Sequence, residues 1–175
     1  ILKNANRMMN IMGYSPHDFI LNASAKDIQK SLHFCHRTFQ GIDFKTFIYG
    51  LRNIYKNHNG LEDCFFTEKE DMREGISNFK KIFFSIKHPI RSEKHVSDPL
   101  NGSASKRLVM FLRWMVRSSK EGVDFGIWKS LSPNQLSCPL DLHTANVARK
   151  LGLITRKAND WKTVNELDQH LRQFC

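Results

Sequence analysis

The sequence predicts an all-α fold, a compact multi-helix array of eight or so short helices. Three observations predict it. Apolar residues recur at helical spacing along almost the whole chain. Helix-start and helix-stop residues punctuate that period at short intervals. No stretch shows a convincing strand alternation, and no internal repeat appears. A chain of 175 residues suits one domain, taken as residues 1–175. Its 41% hydrophobic content is enough for a real core and excludes a disordered chain.

The elements follow in order. The chain begins at Ile1 in what reads as helix and ends abruptly at Cys175, so segments missing at both ends are expected. Ser15 and Pro16 make an N-cap and first helical residue, with Asp18 in the first turn. Ser24 with Asp27 marks another start. Residues 43 to 58 set Phe44, Phe47, Ile48, Leu51, Ile54 and Tyr55 on one face, and Asn59-Gly60 stops that helix. The run TEKE, Thr67 to Glu70, matches a capping box and opens a helix to about His88. Its face carries Met72, Ile76, Phe79, Ile82, Phe83 and Ile86. Residues 89–105 have the prolines, glycine and serines of a loop, a candidate divider between two helical lobes. A cleft between such lobes is the expected place for a site. A helix then spans about Ser105 to Ser118, with Leu108, Phe111, Leu112 and Met115 as its buried stripe. After the irregular GVDFGIWKSLSP comes a helix opened by Asp141, with Leu142, Val147 and Leu151 inward. The last helix runs from about Asp160 to Phe174.

Charge narrows the function. Lys and Arg number 27 against 17 Asp and Glu, a net +10, which favours a polyanionic partner. Lys106, Arg113 and Arg117 share one face of their helix, and Arg107 shares a neighbouring line with Trp114. No acid interrupts this helix, whereas a solvated face usually mixes signs. The stripe fits phosphate contact, with a solubilising face as the plainer account. Lys106 sits in the first turn, where the helix dipole disfavours a charged amine; a nucleophilic amine must be neutral. Asp141 is a natural N-cap, which alone explains it. The helix after it presents His143, Asn146, Arg149 and Lys150.

The four cysteines are scattered, without C-x-x-C, so neither a disulfide framework nor a cysteine zinc site is expected. His33, Cys35 and His36, with His17 near in sequence, are the weak candidates for a metal site. The run FKKIFF is a candidate sticky patch, although its period fits a core face. No apolar run is long enough to span a membrane. A cytoplasmic monomer is expected, with no cofactor and no metal.

The segments KRLVMFLRWMVR (Lys106 to Arg117), VDFGIWKSLSP (Val123 to Pro133) and PLDLHTANVARKLGL (Pro139 to Leu153) resemble a bacterial family catalogued as a domain of unknown function. So do SPHDFI, HRTFQGIDF and LRNIYKNHNGLEDCF upstream. That family is distantly similar to the helix-hairpin-helix DNA glycosylases, closest to the archaeal 8-oxoguanine branch. The resemblance implies that fold, double-stranded DNA as partner, Lys106 as the nucleophile at the sugar C1′ and Asp141 as the assisting carboxylate. The basic faces of the two helices give the candidate nucleic-acid contacts, Arg107, Arg113, Arg117, His143, Asn146, Arg149 and Lys150. A flipped base would stack on Trp114, Phe125, Trp128 or Trp161, each of a residue type that is more often core. The chain departs from the main branch in lacking the L-P-G-x-G hairpin and an iron–sulfur cysteine cluster. A non-catalytic nucleic-acid-binding module on the same fold is the alternative.

Overall fold

The computed structural model describes residues 1–67 and 71–174. They are mostly helical: α1 (Leu2–Ile11), α2 (Pro16–Asn22), α3 (Ala25–Gln29), α4 (Gly41–Asn57), α5 (Leu61–Phe65), α6 (Met72–Phe83), α7 (Lys106–Val116), α8 (Leu142–Lys150) and α9 (Trp161–Leu171). The capping box expected over Thr67–Glu70 falls largely outside the described residues. No helix among the described residues is long and apolar enough to cross a membrane.

Local signals fix most of the starts. Pro16 occupies the first position of α2 and Asp18 its first turn, although the Ser15 side chain makes no capping bond. Ser24 and Asp27 form a reciprocal capping box on α3. The expectation of no strand is corrected by a minimal hairpin, β1 (Cys35–His36) paired antiparallel with β2 (Phe39–Gln40). Arg37 turns the chain there with φ of 55°. Two-residue strands are too short for alternation to show. Helix α6 ends at Phe83, not near His88, because the Ser85 N–H and hydroxyl both donate to the Ile82 carbonyl (3.2 and 2.8 Å). The loop expected over 89–105 contains a 3-10 segment, Ile90–His95.

The chain forms two units, Ile1–Cys64 with Lys81–Val96, and Phe65–Lys80 with Ser97–Cys175. In the first, α4 supplies the core: Phe44 and Ile48 are buried with Ile28 and Phe34, and Met8, Ile11, Met12, Phe19 and Phe39 pack against them. Gly41 opens α4 because a Cβ there would strike the Leu32 backbone. Arg52, on the same helix, donates to the carbonyls of Ile20 (2.5 Å) and Ala23 (2.8 Å), satisfying the end of α2.

One buried carboxylate ties α4 to the 3-10 segment. Asp43, fully buried, accepts from the Gln40 N–H (2.9 Å) and the Ser92 hydroxyl (2.8 Å). Its Oδ2, which takes the Gln40 N–H, also lies beside Arg91 (3.3 Å) and His95 (3.2 Å), and Oδ1 takes the Ser92 hydroxyl. Burial alone would push this carboxyl up. The Gln40 and Ser92 hydrogen bonds and the His95 and Arg91 charges outweigh burial and hold it below the usual aspartate range.

In the second unit, Phe65 stacks on Phe79 (centroids 4.4 Å apart), and Phe111 meets Trp128 edge-on at 5.4 Å. Of the FKKIFF run, Phe79 is buried in this unit and Phe83 in the first, so both rings serve core packing. The deepest line of α7 is Val109, Leu112 and Val116; of the expected stripe only Leu112 is fully buried, and Leu108, Phe111 and Met115 are half-buried. The inward face expected on α8 is also corrected. Leu142, Val147 and Leu151 are 63%, 56% and 68% exposed, and Ala145 and Ala148 are buried. Alanines let the helix backbone approach its neighbours closely, and that steric allowance wins over the larger side chains' hydrophobicity.

A group whose folded pKa is depressed stabilises the fold above its ordinary range, and the contribution disappears as pH falls through the folded value. Asp43 therefore predicts acid loss of stability beginning below about pH 4. Asp43→Asn should lower the unfolding free energy at neutral pH by about 3 kcal/mol, since it leaves Arg91 and His95 facing an uncharged group. It should also flatten the acid dependence. Urea unfolding at a series of pH values checks both.

Candidate functional site

The site grows from the start of α7. Asp98 folds the preceding turn: its carboxylate accepts from the Leu100 N–H (3.0 Å), the Asn101 amide (2.9 Å) and the Ser77 hydroxyl (2.5 Å). Its carbonyl takes the Ser103 N–H (3.2 Å). Ser103 then bridges to Asp160, and the Trp161 N–H donates to the Gly102 carbonyl (3.0 Å). Ser105 is buried and left-handed, φ 44°, with its N–H on the Ser103 hydroxyl (3.1 Å). That conformation costs a non-glycine residue energy and persists only where the surroundings fix it. It delivers Lys106 as the first residue of α7, with no side-chain cap ahead of it.

Asp141 arrives from the opposite direction. The Cys138 N–H donates to the buried Asp168 carboxylate (2.8 Å), and Leu140 anchors in the core. Pro139 stiffens the step between them. Asp141 then caps α8, its Oδ1 accepting from the Thr144 N–H at 2.8 Å. Its Oδ2 stands 3.8 Å from Lys106 Nζ. The two side chains are partly exposed, and 3.8 Å is ion-pair distance without a direct hydrogen bond. The Thr144 N–H does most to hold the Asp141 carboxyl below the ordinary aspartate value, with smaller help from the Thr144 hydroxyl and the Lys106 ammonium. The two residues singled out in the sequence are thus brought together, one carboxylate capping a helix and facing the amine at once.

The other expected contacts divide. Arg113 and Arg117 both turn to Asp124, with N–O distances of 3.6 and 3.5 Å. Asp124 is buried, a role not singled out from the sequence; an acid in an otherwise apolar VDFGI run, following a helix with two arginines near its end, is the available signal. Its loop lies along the end of α7, with the Phe125 N–H on the Trp114 carbonyl at 2.7 Å. Gly126 fits there with φ of 60°, where a Cβ would stand 2.6 Å from the Arg117 carbonyl oxygen. Arg149 is committed as well, donating to the carbonyls of Arg156 (2.8 Å) and Lys157 (2.9 Å) and to the Asn159 side chain (2.7 Å). Arg107, His143, Asn146 and Lys150 are exposed, and their side chains have no hydrogen bond or ion pair among the described residues. Of the stacking candidates, Phe125 and Trp114 are exposed, and Trp128 and Trp161 are buried.

Several cavities lie in this unit, among them one of about 430 Å³ lined by Cys138, His143, Thr144 and Val147. Another, of about 770 Å³, is lined by Trp161, Asn165, Asp168, Gln169 and Arg172 with Asn134, Gln135 and Ser137. A third, of about 460 Å³, shares Asp168, Ser137 and Arg172 with the second and adds Arg113 and Arg117. Lys106 and Asp141 line none of these three. Burial pushes the Asp168 carboxyl up, against the Cys138 and Ser137 hydrogen bonds and the Arg172 charge. Burial likewise pushes the Cys138 thiol up, which suits neither metal binding nor attack. Among the described residues, no group of three or more His, Cys, Asp or Glu side chains is arranged to hold a metal ion, and His33, Cys35 and His36 do not converge.

The pair can be separated into its structural and chemical halves. Asp141→Ala removes a helix cap and should lower Tm by about 3 °C. Lys106→Ala removes only a partly exposed partner and should move Tm by less than about 1 °C. Thermal denaturation of the two variants tests whether Lys106 is dispensable to the fold.

No curated protein and no solved structure matches the chain. A family model described as a protein of unknown function, DUF2400, matches residues 1–175. With the whole sequence covered, the chain belongs to the DUF2400 family.

Proposed function

We propose that this protein is a DNA-repair enzyme, a DNA N-glycosylase/lyase that acts on a flipped, damaged base through Lys106 and Asp141. The observation that carries the proposal is the 3.8 Å approach of Lys106 Nζ to Asp141 Oδ2, from two helix starts far apart in sequence. The resemblance to the helix-hairpin-helix glycosylases implies the same two residues.

The chemistry balances with these two groups. The neutral Lys106 amine attacks C1′ of the nucleotide as the N-glycosidic bond breaks. The base leaves with the bonding electron pair and takes up the proton lost from the amine. The Asp141 carboxylate, kept ionised by its Thr144 hydrogen bonds, stabilises positive charge developing on the sugar. Opening of the sugar ring then gives a Schiff base on Lys106. Double-stranded DNA would be held by exposed cations such as Arg107 and Lys150, supplemented by Arg113 and Arg117 where they keep surface exposure. The net charge of +10 supports a polyanionic partner.

The second reading is a non-catalytic nucleic-acid-binding module on the same fold. It is favoured by the partial exposure of the Lys106–Asp141 pair, an environment in which an ion pair needs no chemical purpose.

Borohydride trapping separates the two. The full-length protein is incubated with duplexes carrying 8-oxoguanine, uracil or an abasic site. The enzyme reading predicts a covalent adduct that vanishes with Lys106→Ala and falls by about 100-fold or more in rate with Asp141→Asn. No adduct with salt-sensitive duplex binding intact would select the binding module. No adduct and no binding would overturn both.

A further inference from the structure

The 770 Å³ cleft carries an inference about what the protein recognises. One wall is a single face of α9, where Trp161, Asn165 and Asp168 recur at helical spacing, continued by Arg172 just past its end. The facing wall includes Asn134, Gln135 and Ser137. Its charge is unlike that of the rest of the chain. In a protein of net +10, the cleft is lined by one cation, Arg172, and two carboxylates, Asp71 and Asp168. That balance opposes a phosphate and favours a neutral ligand rich in N–H donors.

The polar groups are available. The side-chain amides of Asn134, Asn165 and Gln169 make no hydrogen bond among the described residues. Each offers a donor and an acceptor side by side, the arrangement that pairs with two adjacent atoms on a base edge. Asp168 is the buried element, 7% exposed, and its Oδ1 is fixed by the Cys138 N–H at 2.8 Å. A carboxylate with spare acceptor capacity selects an exocyclic amine and repels a carbonyl in the same place. Trp161 supplies an aromatic surface, and its N–H bond to the Gly102 carbonyl sets this end of the cleft against the turn that leads into Lys106.

We propose that the cleft bounded by Trp161, Asn165, Asp168 and Gln169 binds a nucleobase by an amine-bearing edge, so that adenine-, guanine- or cytosine-type bases are preferred to uracil or thymine. The proposal deepens the glycosylase reading and rests on it for the choice of a nucleic-acid base as ligand. The cleft would be the recognition half of a site whose reacting half is Lys106 and Asp141.

The test uses the full chain carrying Lys106→Ala, so that no adduct chemistry contributes, titrated calorimetrically with adenosine, guanosine, cytidine, uridine and thymidine. At least one amine-bearing nucleoside should bind, about 10-fold or more tighter than uridine and thymidine. Asn165→Ala with Gln169→Ala should weaken that binding by about 10-fold with Tm unchanged, since both side chains are exposed and unpaired. Asp168→Asn keeps an acceptor for the Cys138 N–H and should remain folded while the preference over uridine collapses. Binding of no nucleoside, equal binding of uridine, or indifference to these substitutions overturns the proposal. Such a result would leave borohydride trapping by the unsubstituted protein untouched, and nucleoside binding without any trapping would reject the enzyme reading alone.

Discussion

The candidate site depends on how α7 begins. A helix usually opens on a residue whose side chain caps it, and α7 has none. Its start is fixed instead by backbone: Asp98 folds the turn, Ser103 bridges to Asp160, Trp161 holds Gly102, and Ser105 is locked left-handed in a buried position. Those bonds over-determine one conformation. Lys106 follows as the first residue of α7, where the helix dipole disfavours a cation.

Aspartates do the organising in a chain whose excess charge is positive. Asp98 builds the turn before α7, Asp124 holds the loop after it, Asp160 caps α9, and Asp168 fixes the approach to Asp141. Each holds at least one backbone N–H or guanidinium group. Part of the apparent polycationic surface is consumed in this way. Arg113, Arg117, Arg149 and Arg156 all have internal partners, so a residue's membership of a basic stripe does not establish that it is available to a phosphate. Asp141 differs in using its two oxygens for different purposes, one on a helix N–H and one toward an amine.

The helical class, the starts of α2 and α3, and the long α4 were legible because they rest on short-range chemistry: a proline at a first position, a Ser–Asp box, an apolar period over many residues. The β1–β2 hairpin and α5 were not legible, since elements of two and five residues carry no measurable period. The buried faces of α7 and α8 were misjudged for a common reason. Periodicity ranks positions by hydrophobicity, whereas packing ranked them by fit, choosing Val109 over Leu108 and the alanines Ala145 and Ala148 over Leu142 and Val147. At the candidate site, Lys106 and Asp141 were legible as helix-start residues. Asp124 and Asp168 were not, because a buried acid looks like a surface acid until its partners, distant in sequence, are in place.

The most direct test of the central claim is to identify the atom that forms the bond. Protein trapped with borohydride on a damaged duplex is digested, and the modified lysine is located by tandem mass spectrometry. The account predicts the adduct on Lys106, with the other lysines unmodified. A bond to another lysine or to the terminal amine, or a trapped fraction no greater than with undamaged duplex, would contradict it.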